Sequence, residues 1–146
     1  AAPHGAGRTG MARILIIDDE ESVRALFKQV FVEAGYEVEL AADGREALEI
    51  LNTSVPDAIL LDIAMPFMTG PEFAENLRRL ALRRPELGTI PYLVMTGKDY
   101  QCEISNFGFS GDRSFIRCIP KMTPIEEIVL LIDSALLEKG KPENCG

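Results

Sequence analysis

The segment Arg13-Ile14-Leu15-Ile16-Ile17-Asp18-Asp19-Glu20-Glu21 decides how the rest of the chain is read. A short apolar run that stops abruptly on four acids has the profile of a strand buried on both faces and ending at a polar edge. The same profile returns at Ala58-Ile59-Leu60-Leu61, which ends in Asp62, and at Pro91 to Met95, which ends in Thr96. Tyr36 to Ala41 is a further strand candidate, and Phe115 to Ile119 is a fifth, running into Pro120 and Lys121.

Between these runs the apolar spacing changes to that of helices. Val23, Leu26, Phe27, Val30 and Phe31 form one helical stripe, with Gly35 placed to end it in a left-handed cap. Asp43 with Glu46 has N-cap spacing ahead of Ala47, Leu48 and Leu51. Phe73, Leu77 and Leu80 mark a third helix. Tyr100, Ile104 and Phe107 suggest a short fourth one, weakened by Gly108 and Gly111. Thr123 with Glu126, and Pro124 at the first helical position, opens the last helix, whose stripe is Ile125, Ile128, Val129, Ile132 and Leu136.

Five strands alternating with five helices imply an α/β domain with a parallel sheet covered on both faces, because parallel strands need crossover connections. Ligands of such sheets bind beyond the carboxyl ends of the strands. Those ends carry Asp18, Asp19, Asp62, Thr96 and Lys121. At 146 residues the chain holds one domain. Residues 1–10, rich in Ala and Gly, read as an appended leader before the native-looking start Met11-Ala12-Arg13, residues 11–139 as the domain, and 140–146 as a flexible tail.

Composition narrows the function. A net charge of −8 argues against direct nucleic-acid binding, and no apolar run is long enough to cross a membrane. Cys102, Cys118 and Cys145 match neither a zinc pattern nor a disulfide framework, which favours a reducing, cytoplasmic location. His4 is the one histidine and lies in the leader, so no Ser-His-Asp or Cys-His centre can form in the domain. No Gly-rich phosphate loop follows the first strand, which counts against a nucleotide-binding or phosphate-ester hydrolase reading.

Taken singly, each strand-end residue has a bland explanation: an acid in a loop, a hydroxyl satisfying backbone, a solvated lysine. Together they pose an electrostatic problem. Two carboxylates at ~4 Å repel by roughly 4 kcal/mol at an effective dielectric near 20. A hard cation such as magnesium relieves that repulsion, and Lys121 adds a positive point charge. A carboxylate in such a setting can attack phosphorus to form an aspartyl phosphate.

The chain resembles the receiver domains of bacterial two-component response regulators. The resemblance rests on Ile14-Leu15-Ile16-Ile17-Asp18-Asp19-Glu20, Leu61-Asp62-Ile63-Ala64-Met65-Pro66-Phe67-Met68-Thr69-Gly70, Val94-Met95-Thr96-Gly97 and Lys121, and runs from Met11 to about Lys139. It implies a flavodoxin-like doubly wound sheet of order 2-1-3-4-5. It also implies a non-enzymatic switch in which Asp62 accepts phosphoryl from a histidine kinase or histidine phosphotransfer protein. In that scheme Asp19, Asp62 and the Ala64 carbonyl hold Mg2+, Asp18 supports it through water, and Thr96 and Lys121 contact the phosphoryl group. Gly97 leaves that group accessible, and Ala64 and Lys98 flank the attacking water. The output partner would read the face formed by residues 98–114, the fifth strand and the last helix.

Three positions depart from the family pattern. Met122 follows Lys121 where the family has Pro, Cys118 stands where it has an aromatic, and the stretch from Thr96 to Lys121 is longer than usual. These departures motivate an alternative: a receiver-like interaction domain whose partner binding is independent of phosphorylation.

Overall fold

The computed structural model describes residues 11–97, 109 and 112–139. Its strands are β1 (Arg13–Ile17), β2 (Glu37–Ala41), β3 (Ala58–Asp62), β4 (Tyr92–Thr96) and β5 (Phe115–Pro120), and its α-helices are α1 (Glu21–Glu33), α2 (Gly44–Leu51), α3 (Gly70–Ala81) and α4 (Ile125–Lys139). The strands form one parallel sheet in the order β2-β1-β3-β4-β5. Tyr100, Ile104 and Phe107, on which the additional helix was expected, and Lys98 lie outside the described residues.

Alternation along the strands divides the core into two layers. Leu15, Ile17, Ile59, Leu61 and Val94 point to one face, where α2 contributes Ala47 and Leu51 and α3 contributes Phe73, Ala74 and Leu77. Ile14, Ile16, Leu60, Leu93 and Met95 point to the other, against Phe27 and Phe31 of α1 and Ile128 and Ile132 of α4. Both faces of the central strands are thus dry, and every residue of β3 and β4 is buried. That is why these runs read as continuously apolar. Truncating Phe73 to Ala would cost about 3–5 kcal/mol.

The helix ends mostly follow their local signals. Asp43 accepts the Glu46 amide at 3.0 Å, and the Glu46 carboxylate reaches back to the Ala42 amide at 2.7 Å, one residue before the cap. Gly35 takes a φ of 99°, as a left-handed helix stop requires. α4 begins at Ile125, so Pro124 precedes the helix rather than opening it, and its carbonyl accepts from Glu127 and Ile128. Leu26 is 54% exposed, so it belongs to the solvent side of α1 and not to its core stripe. A 3-10 turn over Pro85–Thr89 buries Leu87 and has no counterpart in the periodicity.

Candidate functional site

The carboxyl ends of β1, β3 and β4 place Asp18, Asp62 and Thr96 in the interior, each at most 2% exposed. Strand pairing fixes their relative positions. Asp62 is in register with Met95, so Thr96 lies one residue beyond it, and Thr96 is in register with Pro120 at the end of β5. The Lys121 amide then donates to the Thr96 carbonyl at 2.8 Å. All peptide bonds among the described residues are trans, including Ile119-Pro120 and Lys121-Met122.

Lys121 is the hub. Its Nζ lies 2.9 Å from Asp18 Oδ2, 3.2 Å from Asp62 Oδ2 and 3.2 Å from Glu20 Oε1. Burial alone would lower its proton affinity, but the Asp18, Asp62 and Glu20 carboxylates together raise it above the usual lysine value. The carboxylates do not recover fully. Burial pushes the Asp62 carboxyl up to about 7, and repulsion from Asp18 adds to this against the pull of Lys121. Burial likewise raises Asp18, although its Oδ1 accepts the Glu20 amide at 2.9 Å. Its buried Oδ2 is ion-paired with Lys121 Nζ at 2.9 Å and has no other hydrogen-bond partner among the described residues.

Asp19 behaves differently. It is exposed, and with Ala64 it lines an open cleft of about 410 Å³ whose other walls are Ile63, Met65, Pro66, Thr69 and Pro71. Among the described residues, the carboxylates of Asp18, Asp19 and Glu20 come within 4.8 Å of one another, and Asp62 joins them through Lys121. The sequence reading of the site omitted Glu20, although it sits in the same acidic run. It also omitted Arg24, whose guanidinium donates to the Asp18 carbonyl at 2.7 Å from the first turns of α1. Gly70, part of the quoted motif, has a steric role that the sequence reading did not assign. A Cβ there would lie 2.7 Å from the Asp62 carbonyl oxygen, so only glycine lets α3 start against the end of β3. No described residue comes within 4 Å of a Cβ added at Gly97.

The family model for the response regulator receiver domain matches residues 14–132. The chain belongs to that family. Among curated relatives, the receiver domain is 34% identical over 132 residues to the response regulator MprA of Mycolicibacterium vanbaalenii, covering 90% of this chain and 53% of the relative. MprA of Mycobacterium tuberculosis strain H37Rv is 35% identical with the same coverage. The chain therefore spans about half the length of these relatives. Solved structures agree on the fold. The CheY-like receiver domain protein from Methanospirillum hungatei JF-1 superposes with a TM-score of 0.74 at 29% identity, covering 94% of this chain and all (100%) of that one. Vibrio cholerae chemotaxis protein CheY4 gives 0.72 at 29% identity, covering 86% and 99%.

Receiver domains are signalling domains that generally bind magnesium through an acidic pocket. The residues of this receiver fit such an ion chemically: the donors are hard carboxylate oxygens, and buried Asp18 Oδ2 has only the Lys121 ammonium as a partner among the described residues. Cys118 is 9% exposed and lies in the core layer with Val94 and Phe109.

Proposed function

We propose that this receiver is a phosphorylation-dependent switch whose acceptor is Asp62. The observation that carries this reading is a buried carboxylate at the end of β3, 3.2 Å from a lysine ammonium and beside a second buried acid. A carboxylate held there is costly to the fold, which is the expected signature of a group kept for chemistry.

An Asp62 oxygen attacks the phosphorus of a phosphohistidine on a histidine kinase or phosphotransfer protein. An O–P bond forms as the P–N bond breaks, and the imidazole leaves with the electron pair and takes a proton from water. Lys121 pairs with a phosphoryl oxygen, and the Thr96 hydroxyl donates to another. Asp18, Asp19, Asp62 and the Ala64 carbonyl would hold magnesium, which supplies charge neutralisation for the carboxylates and the transferring group. With the ion absent, an acid pushed to about 7 is partly protonated at neutral pH and a poorer nucleophile. The output is altered partner binding through the surface of β5 and α4 in the cytoplasm.

A second reading has its own support. The small Cys118 side chain cannot swing into space as an aromatic would, which favours partner binding without phosphorylation. Incubation with acetyl phosphate, with and without magnesium, followed by intact-mass measurement separates the two. The switch predicts one labile phosphoryl adduct that depends on magnesium. No adduct under either condition would leave the second reading.

A further inference from the structure

The loop between β3 and α3 closes on itself. The Gly70 amide donates to the Ile63 carbonyl at 2.8 Å, and Thr69 and Glu72 form a reciprocal capping box. The six residues between these ends must therefore turn back sharply. They do so at Phe67, the one non-glycine residue with positive φ (68°) among those described, with the Met68 amide donating to the Pro66 carbonyl at 2.7 Å. A two-residue hydrogen bond around a positive φ is a γ-turn of the rare, strained kind, and a bulky side chain makes it worse. No glycine or asparagine eases it.

Two contacts hold the turn to the start of α2. The Arg45 guanidinium sits 3.8 Å from the centroid of the Phe67 ring, which is otherwise 73% exposed. Met68 fills the space where a Cβ of Gly44 would be, its Sδ 2.6 Å from that position. The loop so held forms the wall of the cleft that carries Ala64 and includes Asp19 among its lining residues.

We propose that Arg45 and Phe67 are positioning residues for the magnesium site: stacked together, they hold a strained turn that keeps Ala64 in the cleft it shares with Asp19. This rests on the reading of that cleft as a magnesium site. The ring and the guanidinium never touch the ion. They act by making a costly backbone conformation the populated one.

The test separates strain from contact. Phe67→Ala and Arg45→Ala each remove the stacking while a Cβ still disfavours the turn, so each weakens magnesium binding about 2- to 5-fold, equivalent to about 0.5–1 kcal/mol. The double variant is no weaker than either single one. Phe67→Gly adopts the turn freely and restores affinity, and Phe67→Trp restores it through the ring. Calorimetric titration with magnesium reads these effects. Amide exchange at Met68 without magnesium follows the same order, fast in the two alanine variants and slow in the glycine variant. Unchanged affinity in Phe67→Ala, or a glycine variant as weak as the alanine one, overturns the proposal. Failure of the unaltered protein to bind magnesium counts against the magnesium reading alone, and Met68 exchange then decides whether the clamp holds the turn.

Discussion

Strand β3 has a buried carboxylate at each end, and the two are treated oppositely. Asp57, just before the strand, is 8% exposed and accepts the Arg13 amide at 2.7 Å, while its own amide donates to the Arg13 carbonyl at 2.7 Å. It stitches β3 to the first residue of β1. Asp62, five residues on, is 1% exposed and shares one ammonium with Asp18 and Glu20. Burial is common to both acids, so burial does not mark the site. What marks it is demand left unmet: more negative charge than one lysine can satisfy.

The largest effect that can break this comparison lies in pH dependence. The folded-state value of Asp62, about 7, stands above its unfolded value near 3.9, so the fold favours the protonated acid. Stability of the metal-free protein should therefore fall as pH rises from about 4 through about 7, and Asp18, also raised, adds in the same direction. At about 1.4 kcal/mol per pKa unit, the Asp62 contribution has an upper bound on the order of 4 kcal/mol. Asp62→Asn should flatten the profile and stabilise the protein at pH 8, and magnesium should do likewise for the unaltered protein. Denaturant unfolding across pH checks both; a profile equally steep in Asp62→Asn would place the unmet demand elsewhere.

The other end of the strand predicts the opposite sign and a smaller size. Asp57→Ala leaves the part-buried Arg13 amide without its carboxylate acceptor and should destabilise by about 1–3 kcal/mol, measured by the same unfolding experiment. Magnesium affinity should stay unchanged. A loss of magnesium binding on this substitution would mean that the two ends are not independent.

The fold was legible because each strand announces its end. The switch from Ile17 to Asp18, from Leu61 to Asp62 and from Met95 to Thr96 is a change of environment written in residue type, and a parallel sheet brings those ends to one edge. Asp18, Asp62 and Lys121 met as expected for the same reason. The acidic run did not reveal which acids Lys121 would hold, since the choice of Glu20 over Asp19 depends on how α1 leaves β1. The turn at Phe67 was not legible either. Positive φ is usually signalled by glycine or asparagine, and Pro66-Phe67-Met68 carries neither, because contacts from α2 impose the conformation. Exposure of Leu26 escaped for a related reason: periodicity gives a stripe its direction but not its width.

The smallest effect concerns signal output. Cys118 packs beside Val94 and is too small to supply much of the differential stabilisation a two-state switch needs. Cys118→Ala should leave the phosphorylation-dependent change in amide exchange over residues 97–114 intact, whereas Thr96→Ala should remove most of it while Asp62 still labels. Loss of that change in Cys118→Ala would make the thiol part of the switch.

The most direct test sets the two ends of β3 against each other in one reaction. Asp57→Asn and Asp62→Asn are each incubated with acetyl phosphate and magnesium, and intact mass is read beside that of the unaltered protein. The account predicts a single labile phosphoryl adduct on Asp57→Asn, as on the unaltered protein, and none on Asp62→Asn. A full adduct on Asp62→Asn would contradict it and move the acceptor to another carboxylate.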